Sequence, residues 1–331
     1  MIYPPFLQKD SVIGVTAPSL RVTAPEDRRR FDSAVRKLGE KGLKVSFTES
    51  VFSDDIETSP SDVRIAELSE LIHDPEVGMI SLAKGGYGES DIVPDFDWSM
   101  IRSNPKWIQG YSDNTVIVFK TTVDEDVATI YGSNFGDYGM SPWHASVAEN
   151  IEILSGQRTE QRSFPYHETG FHDRVIGNEP FEDDAPTVIS SVPEDVSFSG
   201  RLIGGCMDVL KWFADTGAAN VPDFIDRYPE DDFIWYMETY DLPFDGMKDL
   251  FEKMGYEGWL RRVSGFIFGR PFNYPGPDYK EDVVSLLSKY AVPIVFDADI
   301  GHLAPRMTVI NGAYAEFTVS GGKGDIRYSF V

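Results

Sequence analysis

Apolar residues in the first 135 positions follow two rhythms. Short continuous runs recur: "VIGVTAP" (12–18), "LKVSFTE" (43–49), "GMISLAK" (78–84), "PKWIQGY" (105–111) and "VATIYGSN" (127–134). Such runs, ended by Gly, Pro or Ser, read as buried strands. Between them the spacing widens to three and four. Phe31, Val35 and Leu38 share one face of a helix over 25–42, which Gly42 stops. Ile65, Leu68 and Leu71 do the same over 59–74, behind serine caps. A further helix over 113–124 follows "PKWIQGY". This alternation predicts an α/β fold: a flavodoxin-like parallel sheet with helices on both faces.

The rhythm breaks after residue 135. A helix over 141–156 leads into sequence rich in Pro, Asp and Glu, up to about 195. From "FSGRLIGG" onward come a helix (207–214), the strand "FIWYME" (233–238) and a helix (244–262). The strand "GFIFGRP", a helix (280–290), the strand "PIVFDAD" and a β-rich tail (307–331) complete the chain. The expected division is an N-terminal α/β domain (1–160), a linker and insertion loop (161–197), and a smaller mixed α/β, β-rich C-terminal domain (198–331). A chain of 331 residues suits two cores better than one.

Composition narrows the function. Hydrophobic residues make up 41% and aromatics 13%, enough for real cores. The net charge of −24 repels phosphate backbones and argues against a nucleic-acid partner. No apolar run is long enough to span a membrane, and the start lacks a signal-peptide pattern. The expected location is the cytoplasm. One cysteine, Cys206, forbids an internal disulfide, and with only five histidines a zinc cluster is not expected. "KGGYGES" lacks both GK[ST] and G-x-G-x-x-G, so no nucleotide cofactor is indicated. The expectation is no cofactor and no metal.

Ligands of parallel sheets gather beyond the carboxyl ends of the strands. Three loops have that address: Ala17 to Ser19, Lys84 to Gly88, and Gly110 to Asn114. Ser112, at a strand-to-helix joint, is either a helix cap or a nucleophile. As a nucleophile it needs a base, an orienting group and oxyanion donors. The N–H of Asp113 and the glycines of "GGYG" (85–88) are placed to donate. The pattern is not Gly-x-Ser-x-Gly, because Asn114 replaces the second glycine. For the base, His302 sits in the loop "DIGHLAP" at a strand end. The alternative is a histidine bonded to a backbone carbonyl. His73 and His144 lie on helices, and His167 and His172 lie in the insertion. For the acid, Glu238 ends an apolar strand that has no structural use for a carboxylate. A rim ion pair is the alternative, and Asp297 and Asp299 are its rivals. Cys206 is either a thiolate at a helix start or a buried small residue.

Together "IGVTAPS", "KGGYG", "NPKWIQGYSDNT", "GRLIGG", "WYMET", "VSGFIFGRP" and "DADIGHLAP" resemble the LD-carboxypeptidase family of serine peptidases, which includes the microcin C immunity proteins. The likeness covers roughly 10–135 and 198–320. It implies a catalytic triad of Ser112, Glu238 and His302. It implies an oxyanion hole from Gly85, Gly86 and the N–H of Asp113, and a homodimer. It also implies removal of the terminal D-alanine from murein tetrapeptides, as in peptidoglycan recycling. The immunity branch instead cuts peptidyl or aminoacyl nucleotides. A third possibility is a non-catalytic binder on the same scaffold. Cys206 stands where the family commonly has Asn, and Lys84 where it has Arg. Both are expected to contact substrate. Arg306 is a second holder for a carboxylate, against a surface salt bridge. No Trp lies between Trp143 and Trp212, where the immunity branch stacks a nucleobase; Phe171 or Phe181 are the substitutes.

Overall fold

A computed structural model describes residues 1–54, 56–172 and 174–330. The first strands are β1 (Val12–Thr16), β2 (Lys44–Phe47), β3 (Val77–Leu82), β4 (Trp107–Gly110) and β5 (Thr129–Tyr131). Each lies within a run expected to be a strand. The chain continues through β6 (Glu160–Arg162), β7 (Tyr166–His167), β8 (Ala185–Pro186), β9 (Ser190–Val192), β10 (Val196–Cys206), β11 (Phe233–Glu238), β12 (Val263–Gly269), β13 (Ile294–Ala298), β14 (Val309–Asn311), β15 (Tyr314–Ser320) and β16 (Lys323–Ser329).

The first sheet runs β14-β5-β4-β3-β1-β2 and is parallel except at β14, which pairs antiparallel with β5. Chain order reverses between β1 and β3, the kind of switch point beside which ligands bind. Right-handed crossovers put the helix Pro25–Glu40 on one face and Ser61–His73 and Thr115–Glu125 on the other. The second sheet runs β6-β16-β15-β10-β11-β12-β13-β9, with β10 to β13 parallel and the flanking strands antiparallel. Residues 161–197, expected as linker and insertion, contribute the small β7–β8 pair and the edge strand β9.

Thr115–Glu125 joins the two sheets. Ile117 and Val118 belong to the first core, whereas Val116, Phe119 and Val123 pack into the second, against Trp235 and Phe213. A helix with apolar residues on two faces must be covered on both. The residue that starts it is therefore fixed relative to both sheets. Two elements differ from expectation. The helix expected over 244–262 ends at Tyr256, because the chain turns at Gly258 with φ +81°. A short helix, Val221–Arg227, is added; the Asn220 side chain caps it and Pro222 sits in its first turn.

Candidate active site

A cavity of about 700 Å³ lies beyond the carboxyl ends of β3, β4, β10, β11 and β13. That volume is typical of small-molecule sites. Tyr111, still extended after β4, is followed by Ser112 at φ +68°. For a residue with a Cβ this left-handed backbone costs on the order of 1 kcal/mol or more. It turns the side chain into the cavity at the head of Thr115–Glu125. Thr115 Oγ1 holds the turn by donating to the Ser112 carbonyl at 2.6 Å. Asn114 explains its own presence in the motif: its amide donates to the carbonyl of Lys84 (3.1 Å) and to Asn134 Oδ1 (2.9 Å). Ser112 Oγ caps no helix N–H. Its partner is His302 Nε2, at 2.9 Å.

His302 is buried in the loop after β13, with Nδ1 2.7 Å from Glu238 Oε2. An ionised carboxylate only accepts, so Nδ1–H donates and Nε2 is left to accept the Ser112 hydroxyl proton. Tyr111 and Tyr240 present ring edges to the imidazole at 5.4 and 5.0 Å. Glu238 ends β11 with no solvent exposure. Gly301 makes its place: at φ +100°, a Cβ there would stand 2.5 Å from Glu238 Cγ. The rival acids are engaged elsewhere, Asp297 with Lys280 and Asp299 with Arg270 and the Phe164 N–H.

Sequence reasoning missed Tyr131. Its hydroxyl donates to Glu238 Oε1 at 2.5 Å and accepts the Ser112 N–H at 3.3 Å. Burial, and then the Glu238 carboxylate, hold this phenol well above its ordinary range, so it stays a donor. The hydroxyl, imidazole, carboxylate and phenol thus close a ring back onto the serine's own backbone. The only hint in the sequence is a polar tip at the end of the apolar run "VATIY".

The remaining candidates separate. Gly85, Gly86 and Asp113 all line the cavity. A Cβ on Gly85 would lie 2.8 Å from Ser112 Cβ and 3.0 Å from its Oγ, so backbone passes directly beside the hydroxyl. Cys206 lines the cavity too, but it is buried and its thiol donates to Asp208 Oδ2 at 3.3 Å. Burial pushes that thiol well up, which removes it as a thiolate. Lys84 is bound to Asp27 at 2.7 Å. Arg306 corrects an expectation: it is buried, not a surface residue. Its guanidinium donates to the carbonyls of Gly301 (2.5 Å) and His302 (2.8 Å), to Asp137 (3.1 Å) and to Tyr111 Oη (3.1 Å). It braces the histidine loop. Phe171 and Phe181 both line the cavity; Phe171 is 56% exposed and stacks on Phe272 at 4.2 Å. Among the described residues one trio, His172, Glu182 and Asp184, has metal-ligand spacing. His172 already bonds Asp184 at 2.7 Å, so the trio reads as an ion pair that ties the insertion together.

Asp113 fastens the loops beneath the serine, accepting from Ser19 Oγ (2.7 Å) and the Glu89 N–H (3.1 Å). Glu89 is fully buried, and its carboxylate receives no more than a weak contact from the Ile117 N–H. Burial, and then Asp113, push its carboxyl well above the ordinary 4.5. The unfolded chain therefore releases this proton first, and stability falls as pH rises from about 4.5 through the raised value. Glu89→Gln removes that loss. Thermal unfolding should show the variant melting above the parent at pH 8, with the gain vanishing below pH 4.5. Equal melting at both pH values would contradict it.

Comparison with known proteins adds a family. The LD-carboxypeptidase N-terminal domain pattern matches residues 13–132, and the C-terminal domain pattern matches residues 199–317. A Bacillus subtilis protein described as a probable murein peptide carboxypeptidase is 27% identical over 321 residues, 94% of this chain and 90% of that one. The Escherichia coli microcin C7 self-immunity protein MccF is 23% identical, over 92% of this chain and 91% of its own. A solved structure of an MccF mutant with adenosine monophosphate superposes with a TM-score of 0.81 at 19% identity, covering 100% of both chains.

Proposed function

We propose, for a chain that belongs to the LD-carboxypeptidase family of serine peptidases, that Ser112, His302 and Glu238 are its catalytic triad and that it cuts murein peptides beside a terminal D-amino acid. The observation that carries this is the unbroken chain of 2.9 and 2.7 Å contacts from hydroxyl to imidazole to buried carboxylate. In this mechanism His302 takes the Ser112 proton as Oγ attacks the scissile carbonyl. Glu238 fixes the tautomer and stabilises the imidazolium. The Asp113 N–H and an N–H from Gly85 or Gly86 receive the oxyanion. His302 returns the proton to the leaving amine, and water resolves the acyl-serine. Murein is favoured by the Bacillus subtilis relative, which is 27% identical where MccF is 23%, each over more than nine-tenths of this chain. The proposed location is the cytoplasm, and the proposed assembly, from the family likeness, is a homodimer, to be read by fractionation and light scattering.

A second substrate class has its own support. Exposed Phe171 lines the cavity with an aromatic ring, and a solved MccF mutant of the same fold is in complex with adenosine monophosphate. Incubating the protein with a murein tetrapeptide and with a peptidyl-nucleotide, then reading products by mass, separates the two. Release of D-alanine is the expected result. Cleavage of the nucleotide conjugate alone would move the assignment to the immunity branch.

Tyr131 is the positioning residue of this mechanism. Tyr131→Phe removes a hydrogen bond to a charged group, and kcat should fall about 10–100-fold with KM little changed. Without that donor one oxygen of Glu238 loses its anchor, and the carboxylate holds the imidazole less well, so the loss falls on kcat and not on KM. An unchanged kcat, or a loss explained by unfolded protein, would reduce Tyr131 to packing.

A further inference from the structure

The proposed substrates carry an anionic group, yet the cations expected to meet it are occupied: Lys84 by Asp27, and Arg306 by Asp137 and two carbonyls. Two other arginines line the same cavity. Arg30, on the helix Pro25–Glu40, is 1% exposed. One of its nitrogens donates to the carbonyls of Gly177 (3.0 Å) and Glu179 (2.9 Å). Its Nε and other terminal nitrogen have no partner. A buried guanidinium left half-satisfied is costly unless something arrives to complete it.

The neighbouring acids do not complete it. Asp137, Asp27 and Glu179 are within electrostatic range of Arg30, but each is committed. Asp137 binds Arg306, and Asp27 binds Lys84. The Glu179 carboxylate accepts from the N–H groups of Val175, Ile176 and Gly177. Arg174 is exposed, and no carboxylate among the described residues pairs with it. It lines the cavity together with Arg30 and Tyr111, and its charge acts on both. Burial, and then Arg174, draw the Arg30 guanidinium down to about 10, so it stays charged at neutral pH. Both arginines line one cavity, and among the described residues neither is held by a carboxylate. A bound anion would complete them.

We infer that Arg30 and Arg174 form an anion subsite of this cavity that receives a carboxylate or phosphate group of the bound ligand. The inference rests on reading the cavity as the substrate site, and on no step of the serine chemistry. Ligand-dependent melting of the full chain tests it. Two probe pairs distinguish the sources: N-acetyl-D-alanine against its amide, and adenosine monophosphate against adenosine. In the parent and in Ser112→Ala, the anionic member of at least one pair should bind better. Arg174→Gln, a surface change, should weaken that member about ten-fold and leave its neutral counterpart unchanged. Arg30→Gln should do the same; if it fails to fold, Arg174→Gln alone decides. The inference is overturned if neither anion is preferred, or if the preference survives in Arg174→Gln. Retained turnover by Ser112→Ala would sink the triad while leaving this binding result intact.

Discussion

Ser112→Ala is expected to lower kcat by about 10⁴–10⁶-fold on the true substrate. The substitution deletes one oxygen at a half-buried position. Alanine has the same Cβ, so the left-handed turn at φ +68° is neither relieved nor worsened. His302 keeps its 2.7 Å bond to Glu238, and Thr115 keeps its bond to the backbone carbonyl at 112. Melting temperature and circular dichroism should match the parent. The entire loss then belongs to chemistry, measured as product per enzyme by mass spectrometry. A variant with full turnover would end the proposed mechanism.

Glu238→Gln should cost about 10⁴-fold in kcat, the scale seen when the orienting carboxylate of a serine triad becomes an amide. The reasoning is about tautomers. The amide has nearly the shape of the carboxylate and fits the space left by Gly301. If the amide oxygen accepts from Tyr131, the NH₂ faces His302 Nδ1 and donates to it. That forces the ring proton onto Nε2, pointing at Ser112, where a base is needed. If the amide turns over, the ring is correctly oriented but Tyr131 loses its acceptor and the imidazolium loses its counter-charge. Either way KM should change little, because Glu238 is sealed from the cavity. A fall of less than ten-fold would remove Glu238 from the mechanism.

The strands of the first sheet were legible because each is a short apolar run with a breaker at its end. The sheet's edge was not. Val309–Asn311 is three residues long and reads as part of a tail; only its pairing with β5, far back in the chain, makes it a strand of the first sheet. Thr115–Glu125 reads as a helix in the sequence, but apolar residues on two of its faces concealed which core it served. It serves both. In the site, Ser112, Glu238 and His302 stood out because each sits at a strand end where its residue type has no packing use. The family likeness chose among the remaining alternatives. The partners of Lys84 and Arg306 were hidden for a physical reason: Asp27 and Asp137 are 57 and 169 residues away, and ion pairs across a fold leave no trace in spacing. Arg30 and Tyr131 were invisible for the same reason. One looks like an ordinary helix arginine, and the other like the aromatic end of a strand.

In the proposed mechanism His302 makes Ser112 a nucleophile, and covalent labelling by a fluorophosphonate reads that property out. The folded protein should gain one adduct, on the peptide containing Ser112, and His302→Ala should abolish the labelling although the serine remains. An unlabelled parent protein, or a His302→Ala variant that reacts as fast as the parent, would contradict it.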